Sequence, residues 1–166
     1  MRPGITVLAV GNPIMADDGI GPALLGGLKQ SLPGHLTGAG SPVEFMDGGI
    51  SGMELLPVVE DARWLLVLDA VAGEQPGEVM HLSGDQLPRM LSTKLSPHQV
   101  GLLDVFTSAR LLGREPEQIE VVGIVPAQVD LRVGLSPEVA AALPGAAALA
   151  GEVLGRWLQI PAGIRA

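Results

Sequence analysis

The stretch from Trp64 to Val71, WLLVLDAV, limits the fold more than any other part of the chain. Its apolar residues run on without polar alternation, so the strand they form must be covered on both faces. A largely parallel sheet with helices on either side meets that demand. A second run, Ile5 to Val10, stops at Gly11-Asn12 and empties into the polar loop NPIMADDGIG, where Gly11 tolerates the angles of a sharp turn.

The remaining segments alternate in the same sense. Ile20, Ala23, Leu24 and Leu28 recur at helical spacing, and Asp17 or Asp18 stands where a residue caps that helix or favours its dipole. Residues 33–42 read as a surface connection with a solvated His35. Val43 to Met46 is a short strand that runs into Asp47-Gly48-Gly49, and a helix from about Ser51 to Glu60 is expected to follow, capped by Ser51. Ser51 is not placed as a nucleophile, because Met53 occupies the position of the second glycine in G-x-S-x-G.

Only Ala72 to Pro76 separate the central strand from the next one, at about 77–82, which is too few residues for a crossover helix. That strand should run antiparallel, with His81 half-buried in it. Ser96-Pro97 opens a helix to about Leu112, with Val100, Leu103, Phe106 and Leu111 on its buried face and Gly113 closing it. Ile119 to Val125 is the last core strand. Ser136-Pro137-Glu138 starts a closing helix to about Leu158, kinked at Pro144-Gly145, and residues 159–166 should fray. The order β, α, β, α, β, β, α, β, α gives an α/β fold in one domain over residues 1–166: three layers, α/β/α, around a mostly parallel twisted sheet.

Composition excludes several functions. Eighteen acidic against ten basic residues, a net charge of −8, argue against nucleic acid and an anionic membrane surface. The absence of cysteine removes thiol catalysis, thiolate metal sites and disulfides. No stretch approaches the roughly 20 apolar residues that span a bilayer, and the first residues lack a signal-peptide pattern, so a cytoplasmic protein without membrane insertion is expected.

Two residues stand out. Asp69 puts a charge at the end of the most buried strand, which is costly unless it is paired, hydrogen-bonded or metal-bound; the plainer alternative is a carboxylate satisfied by loop amides. His98 falls in the first turn of its helix, where the dipole disfavours imidazolium and leaves a ring lone pair for a metal or a proton, or simply for capping. The loop carrying Asp17 and Asp18, the loop carrying Asp47, the strand end at Asp69 and the helix start at His98 can all meet at one sheet edge. Two carboxylates and an imidazole make a three-point site with open positions, suited to zinc, nickel, manganese or iron. Adjacent residues in a turn seldom aim at one point, so only one of Asp17 and Asp18 is expected to face such a site.

The segments VGNPIMADDGIG, DGGISGMELL, LLVLDAV and SPHQVGLLDV resemble, in order and spacing, the hydrogenase maturation endopeptidases, from about Ile5 to the final helix. The resemblance implies a five-stranded, mostly parallel sheet flanked by helices. It also implies an endopeptidase that trims a short C-terminal extension from the large-subunit precursor of nickel-iron hydrogenase once nickel is installed. The family's acid at the end of the first loop, its Asp ending the third strand and its His opening the later helix fall on Asp18, Asp69 and His98. Asp18 is the shorter of two acids the family uses there. By the same resemblance these three would grip nickel carried by the precursor, either as a recognition handle or to activate water or the scissile carbonyl, with no organic cofactor. The family is classed with aspartyl-type endopeptidases, and SPHQ with DGGISGMELL looks closest to members serving uptake hydrogenases. The chain has no cysteine, serine motif or H-E-x-x-H helix, so activated water is the remaining route to peptide cleavage. Two other readings use the same residues: a nickel-binding assembly chaperone without catalysis, and a nucleotide-binding regulatory module built on the Gly-rich loops.

Overall fold

The computed structural model describes residues 4–91 and 97–159, and their side chains outside residues 88–98. Its five strands are β1 (Ile5–Ala9), β2 (Val43–Asp47), β3 (Trp64–Ala70), β4 (Val79–Ser83) and β5 (Gln118–Ile124). They form one sheet in the order β2-β1-β3-β5-β4. The pairs β1–β2, β1–β3 and β3–β5 are parallel, and only β4 runs antiparallel, against β5. The antiparallel strand expected at about 77–82 is therefore present, but β5 lies between it and β3.

Among the described residues there are five α-helices: α1 (Ile20–Ser31), α2 (Gly34–Thr37), α3 (Leu56–Asp61), α4 (Pro97–Leu111) and α5 (Pro137–Gln159). Strand alternation sorts the core into two layers. Trp64, Leu66 and Leu68 of β3 face α1 and α5, meeting Leu24, Leu28, Val153, Leu154 and Trp157. Leu65 and Val67 face the other side, meeting Val59 of α3 and Leu102, Val105 and Ala109 of α4. Each fully buried side chain of this size contributes roughly 1.5–3 kcal/mol by leaving water. Asp69 shares the parity of Leu65 and Val67, so it belongs to the α3/α4 side.

Several local expectations need correction. The helix after β2 does not start at Ser51: Met53–Leu55 form a 3-10 turn, and α3 begins only at Leu56, where Pro57 fits the first turn. Gly52 is the N-cap residue and no side chain caps it; the Ser51 N–H donates to the Gly48 carbonyl instead. On α4, Val100 is 43% and Leu111 83% exposed, while Gln99, Leu102, Val105 and Ala109 form the buried stripe. The pattern misled because the stripe opens on a polar residue. Gly113 closes α4 as expected, with φ of 66°.

Helix α5 continues unbroken through Pro144. By length and composition it is apolar enough to cross a bilayer, contrary to the sequence expectation. Its buried face of Val139, Ala146, Ala147, Ala150, Val153, Leu154 and Trp157 packs into the core layer beside α1. Ser96 and residues 160–166 lie outside the described residues.

Candidate active site

The chain leaves β1 for β2 on one side and returns to β3 on the other. In such a sheet the crevice beyond the carboxyl ends of β1 and β3 is where ligands bind. The turn after β1 carries Asp18, and β3 ends at Asp69-Ala70. Two glycines permit this close assembly. A Cβ on Gly11, whose φ is 140°, would lie 2.1 Å from the Asp18 carbonyl oxygen. One on Gly21 would lie 2.1 Å from Val10 O and 2.6 Å from Leu68 O, so α1 starts directly against the ends of both strands.

Asp69 is fully buried. Its Oδ1 accepts the Ala70 N–H at 2.7 Å, and its Oδ2 accepts the Gln99 side-chain amide at 3.3 Å. The same Gln99 nitrogen donates to Ala70 O at 2.9 Å. Gln99 is buried in the first turn of α4, so this amide fastens the start of that helix to the end of β3. A second contact helps: a Cβ on Gly101 would come within 3.2 Å of Gly52 Cα, which lets α4 press against the loop after β2. His98 is the second residue of α4, next to Gln99. Its side chain lies outside the described residues, as does any contact it makes.

Asp18 is buried, and its Oδ2 accepts the Asn12 N–H at 3.2 Å. Neither it nor Asp17 caps a helix: they sit in a 3-10 turn, Ala16–Gly19, and no side chain caps that turn or α1. Asp17 turns away, as expected, toward the segment between β5 and α5. Its Oδ2 accepts the N–H groups of Ala127 and Gln128 at 2.8 and 2.9 Å and the Ser136 hydroxyl at 2.8 Å, and its Oδ1 accepts the Ser136 N–H at 2.7 Å. Burial pushes its carboxyl toward neutrality, but the bonds from Ser136, Gln128 and Ala127 outweigh this and hold it below the usual 3.8. Asp17 is thus a staple between two loops, a role that adjacency in sequence does not announce.

The same loops bear on the nucleotide reading. Backbone N–H groups that would cradle phosphate are spent internally: Gly11 donates to Gly49 O, Gly48 to Ala9 O and Gly49 to the Asp47 carboxylate. The Asp47 carboxylate thereby shapes its own turn. His81 pairs with Glu120, which also accepts from Arg156, and His35 is exposed. A cleft of about 460 Å³ lined by Leu87, Phe106, Arg110 and Ile119 lies at the other end of the sheet, near the start of β5. Gln99 is the residue that sequence reasoning missed; its signal was an amide beside the histidine in SPHQ.

A sequence model of the hydrogenase maturation protease family matches residues 31–152. The hydrogenase 2 maturation protease of Escherichia coli K12 is 36% identical over 141 residues, 82% of this chain and 82% of that protein. The hydrogenase expression/formation protein HupD of Rhodobacter capsulatus is 34% identical over 158 residues, 92% of this chain and 72% of that one. Among solved structures, the hydrogenase maturating endopeptidase HybD from Escherichia coli superposes with a TM-score of 0.81 at 34% identity, covering 94% of this chain and 93% of that one. HybD from Thermococcus kodakarensis gives 0.70 at 27% identity, covering 92% and 99%. The five-stranded sheet, the four motifs and these matches together place the chain in the hydrogenase maturation protease family, as an endopeptidase.

Proposed function

We propose that this endopeptidase removes the C-terminal extension of a nickel-iron hydrogenase large-subunit precursor after nickel insertion, and that Asp18, Asp69 and His98 meet the nickel that the precursor carries. The observation that best supports this reading is the Gln99 amide on Asp69 and Ala70. It ties the first turn of α4, where His98 stands, to the end of β3, beside the turn that carries Asp18. Two carboxylates and an imidazole, without thiolate, suit a borderline divalent ion whose other ligands belong to the partner.

In this reading nickel is part of the substrate, no organic cofactor takes part, and the setting is cytoplasmic. Precursor-bound nickel gives the enzyme a fixed point from which to align the scissile peptide. Water adds to the peptide carbonyl, the carbon–nitrogen bond breaks, and the departing amine takes up a proton. Asp18 and Asp69 are the carboxylates available to accept and return that proton, and a metal nearby makes water easier to deprotonate. The test is mass spectrometry of a purified precursor mixed with the protein. A large subunit shortened at its C-terminus supports the reading. A precursor that binds the protein and keeps its full length would favour the chaperone reading instead.

A further inference from the structure

The staple formed by Asp17 raises a question of purpose. A fully buried carboxylate and its hydrogen bonds fasten both ends of the segment 127–136 to the turn that carries Asp18. Backbone pairing adds to this: Arg132 N–H donates to Ile14 O at 3.0 Å, and Ala16 N–H donates to Arg132 O at 2.7 Å. Ala16 has a φ of 49°, a left-handed conformation that costs a residue with a side chain and persists only where its surroundings hold it. Yet the tip of the segment so fixed exposes Leu131 and Val133, each at 80%, beside Ile14 at 53%. Burying none of its large apolar groups, the tip does not reward the fold for being held.

Arg132 spends its N–H and C=O on the Ile14 side. Among the described residues, no hydrogen bond engages the backbone N–H or C=O of Leu131 or Val133. The tip is therefore a short edge, anchored at Arg132, with unused donors and acceptors and two apolar side chains at alternate positions. That combination recognises extended peptide: main-chain bonds supply affinity and alternate side chains supply selectivity. Anchoring it in advance lowers the cost of binding.

We infer that the edge at Leu131–Val133, with Ile14, is a docking strip for an extended segment of the substrate polypeptide with apolar side chains, adjoining the scissile bond. The inference rests on the endopeptidase reading above, because a peptidase must present an extended chain to its site. It goes beyond that reading in naming where the chain lies. The strip adjoins the candidate site through one loop: Arg132, at its centre, pairs with Ile14 and Ala16, and Ala16 opens the turn that carries Asp18.

The experiment compares the unsubstituted protein with Leu131→Asp/Val133→Asp and with the conservative Leu131→Met/Val133→Ile. Binding to nickel-loaded large-subunit precursor is followed by biolayer interferometry, cleavage by mass spectrometry, oligomeric state by light scattering and folding by circular dichroism. The expected result is a folded double-Asp variant whose Kd and KM rise at least about tenfold while kcat changes little, with both restored in the conservative variant. Unchanged Kd and KM would overturn the strip and leave the endopeptidase reading standing. Precursor that binds through the strip but is never cut would leave the strip standing and sink the catalytic reading. An unsubstituted protein that neither binds nor cuts the precursor would overturn both. A dimer that the double-Asp variant dissolves, with precursor affinity unaltered, would assign the strip to a second copy of the chain and overturn the substrate inference.

Discussion

The side-chain amide of Gln99 donates to Asp69 Oδ2 at 3.3 Å and so joins a buried carboxylate on β3 to the first turn of α4. Without this amide the charge at the end of the central strand would lose a compensating donor, and the helix carrying His98 would lose an anchor. Gln99→Glu sets a second carboxylate against Asp69 and should lower kcat/KM about 100-fold or more, the scale expected when a reacting group is misplaced by an ångström. Gln99→Met keeps the shape and removes the donor, and should fall between that variant and the parent. Steady-state cleavage assays on both variants, with circular dichroism to confirm folding, test this ordering.

Asp69→Asn should abolish cleavage and leave the fold intact. The amide is nearly isosteric with the carboxylate, and its oxygen can still accept from Ala70 or Gln99. What disappears is the negative charge that would draw a metal. Cleavage by this variant at the parental rate would remove Asp69 from the mechanism.

Asp17 carries a pH-dependent share of stability. Its folded carboxyl titrates below the usual 3.8, so the native state holds the charge more firmly than the unfolded chain does. The stabilisation is therefore complete above about pH 4 and fades as pH falls through the lower folded value. Asp17→Asn should cost roughly 2–3 kcal/mol near neutrality, because hydrogen bonds to a charged acceptor are lost and an amide N–H faces the donors of Ser136, Ala127 or Gln128. The deficit should shrink at about pH 3. Urea unfolding read by tryptophan fluorescence measures it, since Trp64 and Trp157 are both buried in the core with ring centroids 5.5 Å apart.

Gly21→Ala should destabilise the protein by about 1–3 kcal/mol or more, the usual cost of overpacking. The added Cβ would meet Val10 O and Leu68 O, both rigid backbone atoms at the ends of β1 and β3. Because the shift falls on the start of α1, cleavage should suffer beyond what stability alone explains. Thermal unfolding together with activity measured well below Tm separates the two effects.

Most of the architecture was legible because it follows from periodicity. WLLVLDAV could be satisfied only between two helical layers, and the short link after Val71 ruled out a parallel return for β4. The interposition of β5 between β3 and β4 was not legible, since pattern says which strands exist and not which ones neighbour each other. The stripe of α4 was misassigned because its buried face begins with Gln99, whose burial depends on a carboxylate thirty residues away. The stapling role of Asp17 was not legible for a similar reason: its partners lie more than a hundred residues along the chain, where no local rule reaches. Asp69, by contrast, stood out as a charge at the end of an apolar strand, whereas Asp18 was told apart from Asp17 by the family resemblance.

The dependence of cleavage on nickel bound to the substrate tests most directly whether Asp18, Asp69 and His98 act on a metal that the precursor brings. Chelator-treated enzyme is mixed with nickel-free and with nickel-loaded precursor, and the rate of C-terminal shortening is followed by mass spectrometry. A site of two carboxylates and one imidazole holds a divalent ion weakly by itself, so the loaded precursor should be cut and the nickel-free one left intact. Equal rates of cleavage for the two precursors would contradict it.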